Sequence, residues 1–222
     1  MPRAAGLALM SLALPAIVLA QAAGTIQAQG SATVFANPDQ AQFNVAAVTD
    51  GSTAQAAAQA NAASTSAVLS ALKQALGTSG NIQTIGYSVV PRYAQGQSTT
   101  IVGYTVTNTL QVTTSNLSQV GSLIDTANQA GANSVTGLTF SLMNPDPLKQ
   151  QALTQAAKQA LAHAAAIASG LGAKTGAVVS AQEGASLTPI VAASLNAPPS
   201  TPIQTGQVSV TANVTIAVQL GQ

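Results

Sequence analysis

There is no cysteine in this chain, and that absence removes disulfides, thiolate nucleophiles and cysteine-based metal sites together. Charge is nearly as scarce. Asp, Glu, Lys and Arg make up 5% of the residues, against about 25% in an ordinary soluble domain. The basic residues Lys73, Arg92, Lys149, Lys158 and Lys174 are scattered, so no patch exists to neutralise a nucleic-acid backbone. Tryptophan is missing, and aromatics at 3% are too few for the girdles of a membrane barrel. The lone histidine, His163, stands among alanines, and the five acidic residues are dispersed, so no stretch has metal-ligand spacing. No serine lies in a Gly-x-Ser-x-Gly elbow. Gly170-Leu171-Gly172 follows a helical pattern and precedes a strand, the reverse of the order a phosphate loop needs. The expectation is a protein with no catalytic residues, no cofactor and no metal.

Gln, Asn, Ser and Thr take the surface positions that charges normally hold. With a net charge of +1, copies of the chain repel one another little, which favours self-association. Arg3, the apolar run Ala4 to Leu19 and the small residues of Val18-Leu19-Ala20 and Ala20-Gln21-Ala22 have the layout of a secretory leader. The run is too short to favour a permanent span. Residues 1–22 are therefore expected to be removed on export, leaving 23–222 as one domain without a transmembrane span.

Strand and helix periods alternate along that remainder. Thr25–Ala36 and Ala41–Asp50 alternate apolar and polar residues around the turn Asn37-Pro38-Asp39, and predict a first hairpin. Ser52 to Leu76 predicts a long helix, with Val68, Leu69, Leu72 and Leu76 on its stripe and Gly77 as its stop. Ile85, Tyr87, Val89, Pro91 and Tyr93 share one face of a strand. After the loop 94–98 comes a second strand carrying Tyr104, Val106, Leu110 and Val112, with Asn108 in phase among them. Pro91 cannot donate to a ladder and belongs at an edge or bulge. A second helix (Leu117, Val120, Leu123, Ile124, Ala127) follows, capped by Ser115 and stopped by Gly131, and then a strand from Val135. A third helix, with Asp146 as cap, is expected to bury Leu153, Ala157, Ala160, Leu161, Ala164, Ala168 and Leu171. Ala177–Glu183 reads as a short strand. The stretch 184–206, with Pro189, Pro198, Pro199 and Pro202, reads as a long loop, and Val208–Leu220 as the last strand. The fold class is α+β, in the order ββ-α-ββ-α-β-α-β-loop-β, with largely antiparallel sheets and three helices packed on them.

Several of these residues occur together in a known pattern. They are Gly30, Pro38-Asp39, Asn81-Ile-Gln-Thr, Tyr87, Pro91-Arg-Tyr93, Gly103-Tyr104-Thr-Val-Thr-Asn108, Leu123-Ile-Asp125, Gly131-Ala-Asn133, Phe140 and Gly170-Leu-Gly172-Ala. In this combination the chain resembles the SIMPL domain family, also called DUF541, over most of its length after the leader. The resemblance implies a signal-bearing protein of the bacterial periplasm, outer-membrane-associated or secreted. It also implies kinship with proteins linked to oxidative-stress defence and with an immunogenic envelope antigen that assembles into a ring-like oligomer. No catalytic residues come with the family. Two departures stand out: Asn81 replaces a commonly acidic residue, and the third helix carries Gln where Glu, Lys and Arg are usual.

Candidate residues for contact are Tyr87, Arg92, Tyr93 and Tyr104, all on the predicted hairpin. Tyrosines on paired strands also pack across them with no further role. Asn108, if buried, needs a partner, and pinning a loop is the ordinary use of such an amide. Three functions compete. The first is a non-enzymatic, homo-oligomeric periplasmic scaffold related to envelope stress, with peripheral association to the outer membrane implied by the family. The second is a binding module for a small envelope ligand under the 184–206 loop. The third, an enzyme, has no constellation to support it.

Overall fold

The computed structural model describes residues 24–190, 203 and 205–221; the expected leader and most of the proline-rich loop lie outside them. The elements follow the expected order. They are β1 (Thr25–Ala36), β2 (Gln40–Gly51), α1 (Ala54–Leu76), β3 (Gly80–Tyr93), β4 (Ile101–Thr114), a 3-10 turn (Leu117–Gln119), α2 (Val120–Gln129), β5 (Ser134–Ser141), α3 (Asp146–Gly170), β6 (Lys174–Ile190) and β7 (Gln207–Gly221). Two antiparallel sheets result, one ordered β3-β4-β2-β5 and the other β1-β7-β6. The protein is α+β.

The first hairpin does not form. β1 pairs along its whole length with β7, from Thr25↔Gln219 to Ala36↔Val208, while β2 lies in the other sheet between β4 and β5. Alternation specifies which face of a strand is buried, not which strand it joins. Asn37-Pro38-Asp39 is therefore a crossover between sheets. Asp39 ties it to the return crossing: its N–H donates to the Ser141 carbonyl at 3.1 Å, and its Oδ1 accepts from the Met143 N–H at 2.6 Å. Everything from β2 to β5 is thus inserted between β1 and α3.

Each sheet has its own core. Under α1 and α2, Phe43, Val45, Leu110 and Val112 of the four-stranded sheet pack on Val68, Leu72, Val120 and Leu123. The Thr53 hydroxyl caps α1 by accepting from the Ala56 N–H, and Gly77 ends it at φ +55°. Ser115 does not cap the second helix; its hydroxyl bonds the Ser79 carbonyl instead.

The three-stranded sheet is built differently. Ala152, Ala156, Ala160, Ala164 and Ala168, four residues apart, form the buried stripe of α3 against Ile26, Ala28, Val210, Ala212, Ile216 and Val218. The expected leucines are not on it: Leu161 is 47% and Leu171 66% exposed, while Leu153 and Ala157 are partly buried beside it. The reason is Gly30. A methyl built there would run into the Ala156 carbonyl oxygen and the Ala160 amide nitrogen. The helix backbone rests on the strand backbone, and only alanine fits at the contact. Asp146 is the first residue of α3 rather than its cap, and its N–H bonds Asn144 Oδ1 at 3.1 Å.

β6 also differs from the reading. It begins at Lys174 and continues through Ile190, with Gly184↔Asn213 to Ile190↔Gln207 paired on β7. The regular length of β7 offers a template that the irregular sequence after Glu183 does not announce.

Candidate functional site: the β3–β4 hairpin

The inner half of the hairpin belongs to the core, with Ile82 opposite Val112. The outer half has less support. Pairing of β2 with β4 ends at Gly51↔Tyr104, whereas β3 and β4 go on to Tyr93↔Ile101. The tip closes through Ala94 N–H to the Thr100 carbonyl, with Gly96 at φ +76°. β3 is an edge strand, which is where Pro91 can be tolerated.

Register decides what this outer half displays. The β3–β4 ladder slips at Ile85, which has no opposite partner and leaves the phase it was read in, and again beyond Arg92. Between the slips, Tyr87, Val89 and Pro91 alternate onto one face, opposite Asn108, Val106 and Tyr104. Tyr93 and Ile101 extend that face outward. Tyr87 is 57% exposed and Tyr93 47%, with Val89 and Ile101 also exposed and Tyr104 half-buried. Val90 and Val102 are exposed as well. All three tyrosines of the chain, expected together on the hairpin, lie on this one surface.

Arg92 does not join them. It lies on the reverse face, opposite Gly103, where its guanidinium covers the glycine so closely that an added methyl would meet Nη2 at 3.1 Å. Nη1 donates to Asp50 Oδ2 at 3.2 Å, and Asp50 Oδ1 accepts from the Thr105 hydroxyl. Both side chains of the ion pair are about half exposed, 48% and 54%, so solvent screens it and its contribution to stability is small. Its effect is geometric: it braces the hairpin against the end of β2.

Below the tyrosines lies a polar contact that the sequence reading missed. Asn61 of α1 is fully buried and donates from Nδ2 to the carbonyls of Ala47 (2.7 Å) and Val106 (3.0 Å), pinning the helix to β2 and β4. Thr65 donates to its Oδ1 at 3.3 Å. An amide four residues after Ala57 and seven before Val68, hence on the buried stripe, was the signal. Asn108 is half-buried with its Oδ1 enclosed and without a hydrogen-bond partner among the described residues.

His163 stands apart from the hairpin. Its Nδ1 is 2.7 Å from the Gln29 carbonyl oxygen, beside an open hollow of about 290 Å³ lined by Gln159, Asn213 and Thr215 among others. Among the described residues no three His, Cys, Asp or Glu side chains gather where they could hold a metal ion. No described helix is long and apolar enough to cross a membrane.

Two curated proteins are 29% identical to the chain over 137 residues, both named 26 kDa periplasmic immunogenic protein, one from Brucella melitensis biotype 1 and one from Brucella abortus strain S19. The match covers 59% of this chain and 55% of each relative, so the chain spans about half the length of the curated relatives it matches. A family model described as SIMPL, protein of unknown function (DUF541), matches residues 26–218, which run from within β1 to within β7 and take in every element between them. The chain belongs to the SIMPL family.

Proposed function

We propose that this SIMPL-domain protein is a non-enzymatic component of the bacterial periplasm, a homo-oligomeric scaffold related to envelope and oxidative stress, whose copies meet through the outer half of the β3–β4 hairpin. One observation carries the reading: Tyr87, Val89, Tyr93 and Ile101 stand exposed on one face of an arm that outreaches its sheet. Aromatic side chains supply large contact area with little rotamer freedom to lose, so an exposed cluster of them has the chemistry of an interface. The near absence of charge supports it, because little electrostatic repulsion opposes the approach of copies. The periplasmic location follows the names of the relatives.

Light scattering of the chain without its first 22 residues tests this. Wild type is expected to form a defined multimer, and the Tyr87→Ser, Tyr93→Ser pair to shift to monomer with self-affinity weakened at least about tenfold, equivalent to about 1.4 kcal/mol. A wild-type protein that stays monomeric at high concentration would remove the scaffold reading.

A further inference from the structure

Edge strands expose a row of unpaired N–H and C=O groups to which another strand can add, and natural sheets often block them with charged side chains. β1 is an edge strand of the three-stranded sheet and contains no charged residue at all, from Thr25 to Ala36. Its alternating, uncharged sequence is the kind that recruits a further strand. Two side chains of α3 stand where that strand would go.

Within an extended chain, the C=O of one residue and the N–H two residues later point to the same side. On β1 the Gln29 carbonyl and the Ser31 N–H are such a pair, and both bond α3. Ser31 N–H donates to Gln159 Oε1 at 2.6 Å, and His163 Nδ1 lies 2.7 Å from the Gln29 oxygen. A carbonyl oxygen only accepts, so Nδ1 is the donor in this contact. Gln159 and His163 are four residues apart and therefore neighbours on the helix surface. Together they present one acceptor and one donor, as an added strand would. Gly30, between the two bonded residues, lets α3 come close enough for this.

The device has a counterpart elsewhere in the molecule. Asn133, just before β5, accepts from the Val48 N–H with Oδ1 and donates to the Val48 carbonyl with Nδ2, both at 2.8 Å. Its side chain continues the β2–β5 ladder past the last backbone pair, Ala46↔Ser134.

We propose that Gln159 and His163 close the edge of β1 against strand addition, so that this sheet is not extended by another copy of the chain. In a protein with so little charge, paired side-chain hydrogen bonds do what lysine does on other edges. The proposal is independent of the hairpin's role, since it concerns the other sheet and predicts association where the wild type has none.

The test compares Gln159→Leu with His163→Leu as a pair, and His163→Gln, which keeps a donor. Hydrogen–deuterium exchange over residues 26–36 is expected to show one amide, Ser31, exchanging on the order of tenfold faster in the leucine pair, the weight of one lost hydrogen bond. Thioflavin-positive, concentration-dependent aggregates are expected in the leucine pair but not in His163→Gln or wild type. Unchanged exchange, or faster exchange without new association, would overturn the proposal. Should the leucine pair not fold, the single variants His163→Leu and His163→Gln are compared by the same scattering assay. Growth only in the first is expected, and identical behaviour overturns the idea.

Discussion

The two sheets solve one packing problem in opposite ways. Beneath α1 and α2 the space is filled by large side chains, with Phe43, Leu72 and Leu123 fully buried. Beneath α3 there is almost no space to fill, because alanines lie directly on a strand that carries Gly30 at the contact. Burial of apolar area stabilises by about 25 cal/mol per Å², so each residue of the first core contributes more than an alanine of the second. The second gains instead from closeness, which brings Gln159 and His163 within hydrogen-bonding reach of β1. A large-residue core is injured by removing atoms, and a close-contact core by adding them.

That contrast can be broken by substitution. Phe43→Ala should have the largest effect, about 3–5 kcal/mol of lost stability in denaturant unfolding, because a fully enclosed ring leaves a cavity behind. A loss under about 1 kcal/mol would mean the first core collapses freely, against the comparison. Gly30→Ala, which adds one methyl, should cost about 2–3 kcal/mol, since the obstacles are the backbone atoms of Ala156 and Ala160 rather than flexible side chains. If the alanine variant melts with the wild type, α3 does not rest on β1 as closely as described. Leu161→Gln sharpens the orientation of the helix: with Leu161 outside the stripe, the change should stay within about 0.5 kcal/mol. A loss of several times that would restore the leucine-bearing face as the buried one.

Much of the architecture was readable before any coordinates, and the misses have physical causes. Periods of two and of 3.6 residues, with Gly77 at the end of α1, located the helices and the strands other than the second half of β6, because those signals are local. The tyrosines at 87 and 93 could be placed on the hairpin for the same reason. The partner of β1 was misjudged because a turn signal such as Asn37-Pro38-Asp39 is equally compatible with a hairpin and with a crossover. On α3 the expected Ala160, Ala164 and Ala168 are buried, whereas Leu161 and Leu171 are exposed, because in an alanine-rich helix the stripe with the smallest residues can be the one buried. Asn61 escaped notice because a polar residue on an apolar stripe looks like an interruption until its two carbonyl partners are known.

What the amino-acid order settled alone was therefore the inventory: an α+β chain, its elements and their sequence, and the absence of grouped ionisable residues along it. Only the assembled molecule decided that β1 joins β7, that α3 turns its alanines inward, and that Arg92 braces one face of the hairpin while the tyrosines occupy the other. The first two of those choices depend on contacts between residues more than a hundred positions apart, such as Gly30 with Ala156 and Ala160, and the third on Arg92 reaching Asp50 across 42 positions. Local periodicity carries no information about such distances.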